Sequence, residues 1–225
     1  MRRSIRGARN ARHFEALLPC SGTSLIAESA LDPSATRAFR DRTWWFRVAG
    51  HHPWPWLNQM GLDVGRIEMW GSVLTAAFET ACLAGCDPIV LVGADLAFTG
   101  GQPYCRGTTY EFDWATRTAL GDALEDVWQH DVARKSPIAV ADLHGQQTVT
   151  AEHLVSFRDW LVARAGRCGR RVVNATGGGI LMGGSIEQRS LAAALASAPE
   201  FTSSWDVLAS SAPAATTDLA ARLVS

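Results

Sequence analysis

The stretch at 89–95 reads IVLVGAD, and it narrows the fold more than any other part of the chain. A short, continuous apolar run without alternating polar positions is the pattern of a strand buried on both faces, as in a parallel sheet covered by helices. Such a strand needs a covering helix nearby. Residues 72–85, SVLTAAFETACLAG, supply one. The segment is rich in alanine and apolar on most faces, with Ser72 placed to cap its start and Gly85 to stop its end. Asp87-Pro88 opens the strand, expected over 89–93, and the chain then leaves it through Asp95 into a glycine-rich loop.

The rest of the chain continues the alternation. Residues 25–28 and 43–48 (TWWFRV) are expected as short strands, and 171–174 as another buried strand. Residues 113–133 are expected as one helix, 138–142 as a strand and 186–198 as a last helix. Residues 150–164 form an amphipathic helix in this reading, with Leu154, Phe157 and Leu161 on one face and Thr150 and Glu152 at its capped start. HHPWPW at 51–56 carries two prolines too close together for a regular strand or helix. This pattern predicts an α/β fold: a three-layer, Rossmann-like, mainly parallel sheet with helices on both faces. The expected organisation is an irregular N-terminal segment over 1–20, one α/β domain over 21–198 and a peripheral tail over 199–225.

Composition excludes several function classes. The formal net charge is −1, so no broad basic field points to nucleic acid or to a membrane surface. Lys135 is the one lysine, and no G-K-[ST] occurs, which excludes a P-loop. Five cysteines (Cys20, Cys82, Cys86, Cys105 and Cys168) are an odd number without a CxxC pair, which fits reduced thiols in the cytoplasm. Cys82 and Cys86 are expected as buried thiols. The basic N-terminal stretch lacks the apolar core of a secretory signal, and no apolar run is long enough to span a membrane.

In a parallel α/β sheet, ligands bind outside the carboxyl ends of the strands. Three loops are expected there: 93–101 (GADLAFTGG), 142–147 (DLHGQQ) and 174–179 (NATGGG). Asp95 is the candidate carboxylate, for a ribose, a metal or a substrate amine, against a plain turn or cap. Asn174 and Thr176 are candidate side-chain ligands. Gly177, Gly178 and Gly179 allow close approach of bare backbone N–H groups, or a tight turn. The spacing is not G-x-G-x-x-G, so no dinucleotide fingerprint is present. Gly71 and Ser72 open a helix, and Ser72, Thr75 and Glu79 share one polar stripe. His144 is the candidate acid-base group, against a structural histidine. His51, His52, Trp54 and Trp56 crowd together without metal-ligand spacing, as a packed or substrate-facing aromatic loop, and no metal site is expected.

The run at 71–108 resembles the core of the MptE-like domain, in a superfamily that includes archaeal 6-hydroxymethyl-dihydropterin diphosphokinases and bacterial motility accessory factor (Maf) glycosyltransferases. The likeness rests on Gly71-Ser72-Val73, on Gly93-Ala94-Asp95-Leu96-Ala97 and on Asn174-Ala175-Thr176-Gly177-Gly178-Gly179, in that order. It covers about 22–192, where HGQQTVTAEHLVSFRDWL also looks like the start of a family helix. The family's G-x-G-P-S-L-type loop is not found, so the chain resembles a domain lacking that N-terminal glycine-rich part. A sheet edge would then be exposed, or covered by residues 1–20, and a homo-oligomer could form across it. Gly177 also stands where Maf proteins often carry an acidic residue.

The resemblance implies a nucleotide-activated donor in the cleft, where the reading of the residues makes Asp95 and His144 the candidate catalytic groups. Gly71, Ser72, Gly93, Asp95, Asn174, Thr176, Gly177 and Gly178 would bind the donor. It implies nonulosonic acid transfer from a nucleotide sugar to flagellin or another glycan acceptor. The alternative is pterin diphosphokinase, with Mg²⁺ on carboxylates such as Asp95. A non-catalytic, truncated domain is the reading from a different class.

Overall fold

The computed structural model describes residues 23–36, 39, 42–48, 51–62 and 64–196. The expected N-terminal segment and C-terminal tail lie outside the described residues. The described chain is a mixed α/β protein with two small parallel sheets, a hairpin and helices between them. No helix among the described residues is long and apolar enough to cross a membrane.

The first sheet contains β1 (Leu25–Glu28), β2 (Thr43–Val48) and β3 (Gly65–Ile67), in that order and all parallel. A short helix, α1 (Pro33–Thr36), lies between β1 and β2, and α2 (Trp54–Gln59) between β2 and β3. Helix α2 corrects the expectation for HHPWPW. Pro53 is the N-cap and Pro55 sits in the first turn, where the missing N–H has no helical partner to lose.

Helix α3 (Val73–Leu83) has Ser72 at its N-cap, and Gly85 follows with φ +77°. It leads into β4 (Ile89–Leu91), two residues shorter than expected. A 3₁₀ turn follows at Thr99–Gly101. The helix expected over 113–133 is two helices, α4 (Tyr110–Ala119) and α5 (Leu124–Ala133). They break at Gly121, whose φ of +106° no helix accommodates.

Strands β5 (Pro137–Ala141) and β6 (Gln147–Ala151) pair antiparallel as a hairpin. So the loop at 142–147 is a hairpin turn, not the end of a strand in a parallel sheet. Helix α6 (Glu152–Ala165) follows directly, with Ala151 at its N-cap. Thr150 is therefore not its cap: it is a buried strand residue whose hydroxyl donates to the Leu96 carbonyl at 2.7 Å.

Strand β7 (Val172–Asn174) pairs in parallel with β4 on one side and with β8 (Ile186–Gln188) on the other. The expected helix over 186–198 gives way to β8 and a short helix, α7 (Leu191–Ala196).

Two apolar clusters hold this together. One joins Phe78 of α3 to Ile89, Leu91, Leu161, Val172 and Leu181. The other joins Phe46, Val48 and Ile67, with Ala76 of α3 packed on it. Helix α3 thus serves both sheets. Burying Phe78, at 2% exposure, contributes about 1.5–3 kcal/mol over leaving it in water.

The polar stripe of α3 faces inward. The Thr75 hydroxyl donates to the Ser72 carbonyl and accepts from the Trp70 N–H. Glu79, at 5% exposure, accepts two bonds from Arg164 of α6, at 2.6 and 3.1 Å. That hydrogen bonding raises the already high pKa of Arg164. Burial, reinforced by the neighbouring Cys168 thiol, pushes Cys82 up to about 11. Cys86 is exposed beyond the end of α3, against the expectation of a buried thiol.

Candidate functional site

Three loops meet beyond the ends of β4 and β7. The first leaves β4 through Gly93, at φ +71°. The Ala94 N–H donates to the Thr176 hydroxyl at 2.9 Å, and the Ala175 N–H donates to the Leu91 carbonyl at 2.8 Å. The Asp95 carbonyl accepts from the Ile180 N–H at 2.8 Å. The third loop is thus bonded along the length of the first.

The hairpin turn closes on the same place. The Leu143 N–H donates to the Gly179 carbonyl at 3.0 Å, and the His144 ring Nε2 lies 3.0 Å from the Gly177 carbonyl. A carbonyl only accepts, so Nε2 carries the proton in this contact and a neutral ring keeps a lone pair on Nδ1. Asp142 shapes the turn by accepting from the His144 and Gln146 N–H groups at 2.9 and 2.8 Å. From the other side, the Phe98 N–H donates to the Val149 carbonyl, and Thr150 holds the Leu96 carbonyl.

Asp95 is half-buried in this junction. Its Oδ2 accepts from the Thr99 hydroxyl at 2.7 Å, and its Oδ1 has no hydrogen-bond partner among the described residues. Asn174 is 1% exposed and its side chain is fully engaged. Its Nδ2 donates to the Leu181 carbonyl and to Gln188 Oε1, while its Oδ1 accepts from the Thr176 N–H. Asn174 and Thr176 therefore act on the shape of the third loop. The N–H groups of Gly177 and Gly178 have no acceptor among the described residues, with Gly177 exposed and Gly178 half-buried. Gly179 is fixed by contact: a Cβ there would lie 2.1 Å from the Asp95 carbonyl oxygen.

Ser72 and Gly71 sit elsewhere in the bonding pattern. The Ser72 hydroxyl accepts from the Leu74 N–H as a helix cap, and none of its hydrogen bonds among the described residues reaches the Asp95 loop. Gly71, at φ +65°, packs against the Phe157 ring. The aromatic loop at 51–56 is engaged too: Trp54 Nε1 donates to the Ser29 hydroxyl at 2.7 Å, and His51 Nδ1 lies 3.4 Å from Glu28. No group of three or more His, Cys, Asp or Glu converges among the described residues.

A cavity of 590 Å³ opens downstream of the Asp95 loop, between residues 103–104 and helices α4 and α5. Pro103, Tyr104, Tyr110, Arg117, Arg134 and Lys135 are among the residues that line it. The sequence gives no motif for it, because its walls come from two helices that read as one and from residues without special spacing. Comparison of the chain with protein-family models, with curated proteins and with solved structures finds no match.

Proposed function

We propose that this chain is a transferase of the MptE-like/Maf kind, moving a glycosyl group from a nucleotide-activated donor to a hydroxyl acceptor. The proposal includes the finer architecture: the parallel sheets belong to one three-layer, Rossmann-like arrangement whose carboxyl edge carries the site. One observation supports it above the others. Three separate loops are bonded into a single junction that presents the Asp95 carboxylate, the His144 ring and the unengaged Gly177 and Gly178 N–H groups together. The resemblance of Asn174 to Gly179 to the Maf pattern favours glycosyl transfer.

In this reading the glycine N–H groups hold the donor phosphate, as bare backbone does in other anion sites. Asp95 Oδ1 accepts from a donor hydroxyl. His144 Nδ1 takes the proton of the acceptor hydroxyl as its oxygen bonds to the anomeric carbon. The carbon–oxygen bond to the phosphate breaks, and the nucleotide leaves with that electron pair. Flagellin or another glycan is the proposed acceptor.

A thermal-shift panel of CMP, UDP, GDP, ATP and a pterin tests this. A ligand at about 100 times its Kd adds about 2.7 kcal/mol. For a chain of this size that raises Tm by roughly 5–10 °C. A cytidine, uridine or guanosine nucleotide should give the shift in the wild type and lose it in Asp95→Asn, which keeps the shape and removes the charge. A shift with ATP and pterin together, enhanced by Mg²⁺, would turn the reading to pterin diphosphokinase. Equal shifts in wild type and Asp95→Asn would reject the role of Asp95. No shift with any ligand would favour a non-catalytic domain.

A further inference from the structure

The cavity downstream of the Asp95 loop carries a second binding site by its own chemistry. Its aromatic side is a continuous stack. Tyr104 and Tyr110 lie with ring centroids 4.2 Å apart, and Trp114 follows Tyr110 at 6.2 Å. Lys135 covers the end of this stack, with Nζ 5.3 Å from the Tyr104 ring and 5.2 Å from the Phe98 ring. With the two tyrosine rings in contact, a flat ring has no place to insert between them.

The polar side sets three cations, Arg117, Arg134 and Lys135, against two carboxylates, Asp113 and Asp131. Arg117 is paired with Asp122 at 3.2 Å and reaches Asp131 at 3.9 Å. Asp131 also accepts from Trp114 Nε1 at 2.9 Å. The side chains of Arg134 and Lys135 make no hydrogen bond or ion pair among the described residues. Cations at the C-terminal end of a helix need no ligand, since the helix dipole favours them there. Arg134, exposed at the end of α5, fits that description. Lys135 does not, because its ammonium is half-buried against two rings and three donors are left without an acceptor. Burial lowers its pKa, and the Asp131 carboxylate, which makes no ion pair with it, only partly opposes that cost of holding an ammonium away from water. His153 feels the same charge and is lowered by burial and then by Lys135.

We propose that this cavity binds a small organic oxyanion, its phosphate or carboxylate group on Lys135 and Arg134 and its body against Pro103 and Tyr104. Volume agrees, since 590 Å³ lies within the range of small-molecule sites. The site does not depend on a nucleotide at the Asp95 loop.

Because Lys135 is the one lysine, an uncharged amine reagent has two targets on this chain: that ammonium and the N-terminal amine. The experiment follows N-hydroxysuccinimidyl acetate modification of each by peptide mass spectrometry. Probes are glycerol 3-phosphate and gluconate, with glycerol and glucose as uncharged controls, all at ionic strength matched with sodium chloride. We expect one of the two anions to slow Lys135 modification at least fivefold and saturably, leaving the N-terminal amine unchanged. Protection by glycerol 3-phosphate identifies a phosphate ligand, and protection by gluconate a carboxylate. In Arg134→Gln, an exposed position, the half-protecting concentration should rise about tenfold. The proposal is overturned if Lys135 reacts equally fast with both anions and with salt. It is also overturned if the uncharged controls protect as well, or if Arg134→Gln is protected at the wild-type concentration. Should Arg134→Gln lose its fold by circular dichroism, the wild-type protection curve alone decides.

Discussion

Alanine substitution along Gly177, Gly178 and Gly179 separates three backbone roles within one loop. At Gly179 a Cβ would sit 2.1 Å from the Asp95 carbonyl oxygen and 2.4 Å from its Cα, both backbone atoms that no rotamer can move. The junction must open by more than an ångström to admit it. Opening breaks the Ile180-to-Asp95 bond at 2.8 Å and the Leu143-to-Gly179 bond at 3.0 Å, each contributing about 1 kcal/mol. A φ of +76° adds about another 1 kcal/mol for a residue with a Cβ. The expected loss is about 3 kcal/mol, at the top of the usual range for a single substitution. Gly177 also has a positive φ, +81°, but its Cβ would meet nothing within 4 Å, so Gly177→Ala should cost about 1 kcal/mol. Gly178 has neither constraint, and Gly178→Ala should be neutral or stabilising by about 0.4–1 kcal/mol through the unfolded chain. Urea denaturation followed by circular dichroism reads the order from the midpoints at constant m-value. A Gly179→Ala protein within 1 kcal/mol of Gly177→Ala would refute the close approach of this loop to Asp95.

Three further outcomes follow from single contacts. Arg164→Met strands the buried Glu79 carboxylate and should cost about 3–5 kcal/mol, whereas Glu79→Leu combined with Arg164→Met should regain most of it. Urea midpoints of the single and double variants check this. Thr176→Val removes the acceptor of the buried Ala94 N–H and should cost about 1–3 kcal/mol, while Thr176→Ser should stay close to wild type in the same assay. His153 has a folded-state pKa below its ordinary 6.5, through burial first and Lys135 second. The unfolded chain therefore binds the proton more readily, so its stabilisation is present above pH 6.5 and is lost as pH falls through the lower folded value. His153→Gln should flatten that fall in urea midpoints taken between about pH 5 and pH 7.

The parallel pairing of β4 with β7 was legible because both strands are continuous apolar runs, a pattern that requires cover on both faces. The cap at Ser72 and the stop at Gly85 were legible for similar reasons, since each residue type answers a specific backbone need at a helix end. What escaped was decided by tertiary pairing. Thr150 and Ala151 look like the start of the helix expected over 150–164 because Thr150 and Glu152 match a capped N-terminus. The chain instead pairs 147–151 with 137–141, and Thr150 turns its hydroxyl to the Leu96 carbonyl. Residues 186–188 continue into an alanine-rich stretch that favours helix, yet Asn174 holds Gln188 beside β7 and keeps them extended. Local propensity loses at these places to one buried side chain reaching across the sheet.

The candidate site shows the same division. Glycines and short polar residues at strand ends marked where the chain would turn, but not which of their groups the turn would use up. Asn174 looks like a ligand in the sequence and is a brace in the structure, because burial at 1% requires every polar atom to find a partner inside the protein. Ser72 is used in the same way by its helix end. What remains unengaged is what sequence alone ranks lowest: two glycine N–H groups, one carboxylate oxygen and one imidazole nitrogen. A loop braced by Asn174, Thr176 and the Gly179 contact holds those groups without the reorganisation that a mobile loop would require on binding, so each ligand contact would retain more of its gross energy. The braces and the binding groups are therefore different residues of one motif. Substitutions at Asn174 should register in stability, and substitutions at Asp95 in ligand response.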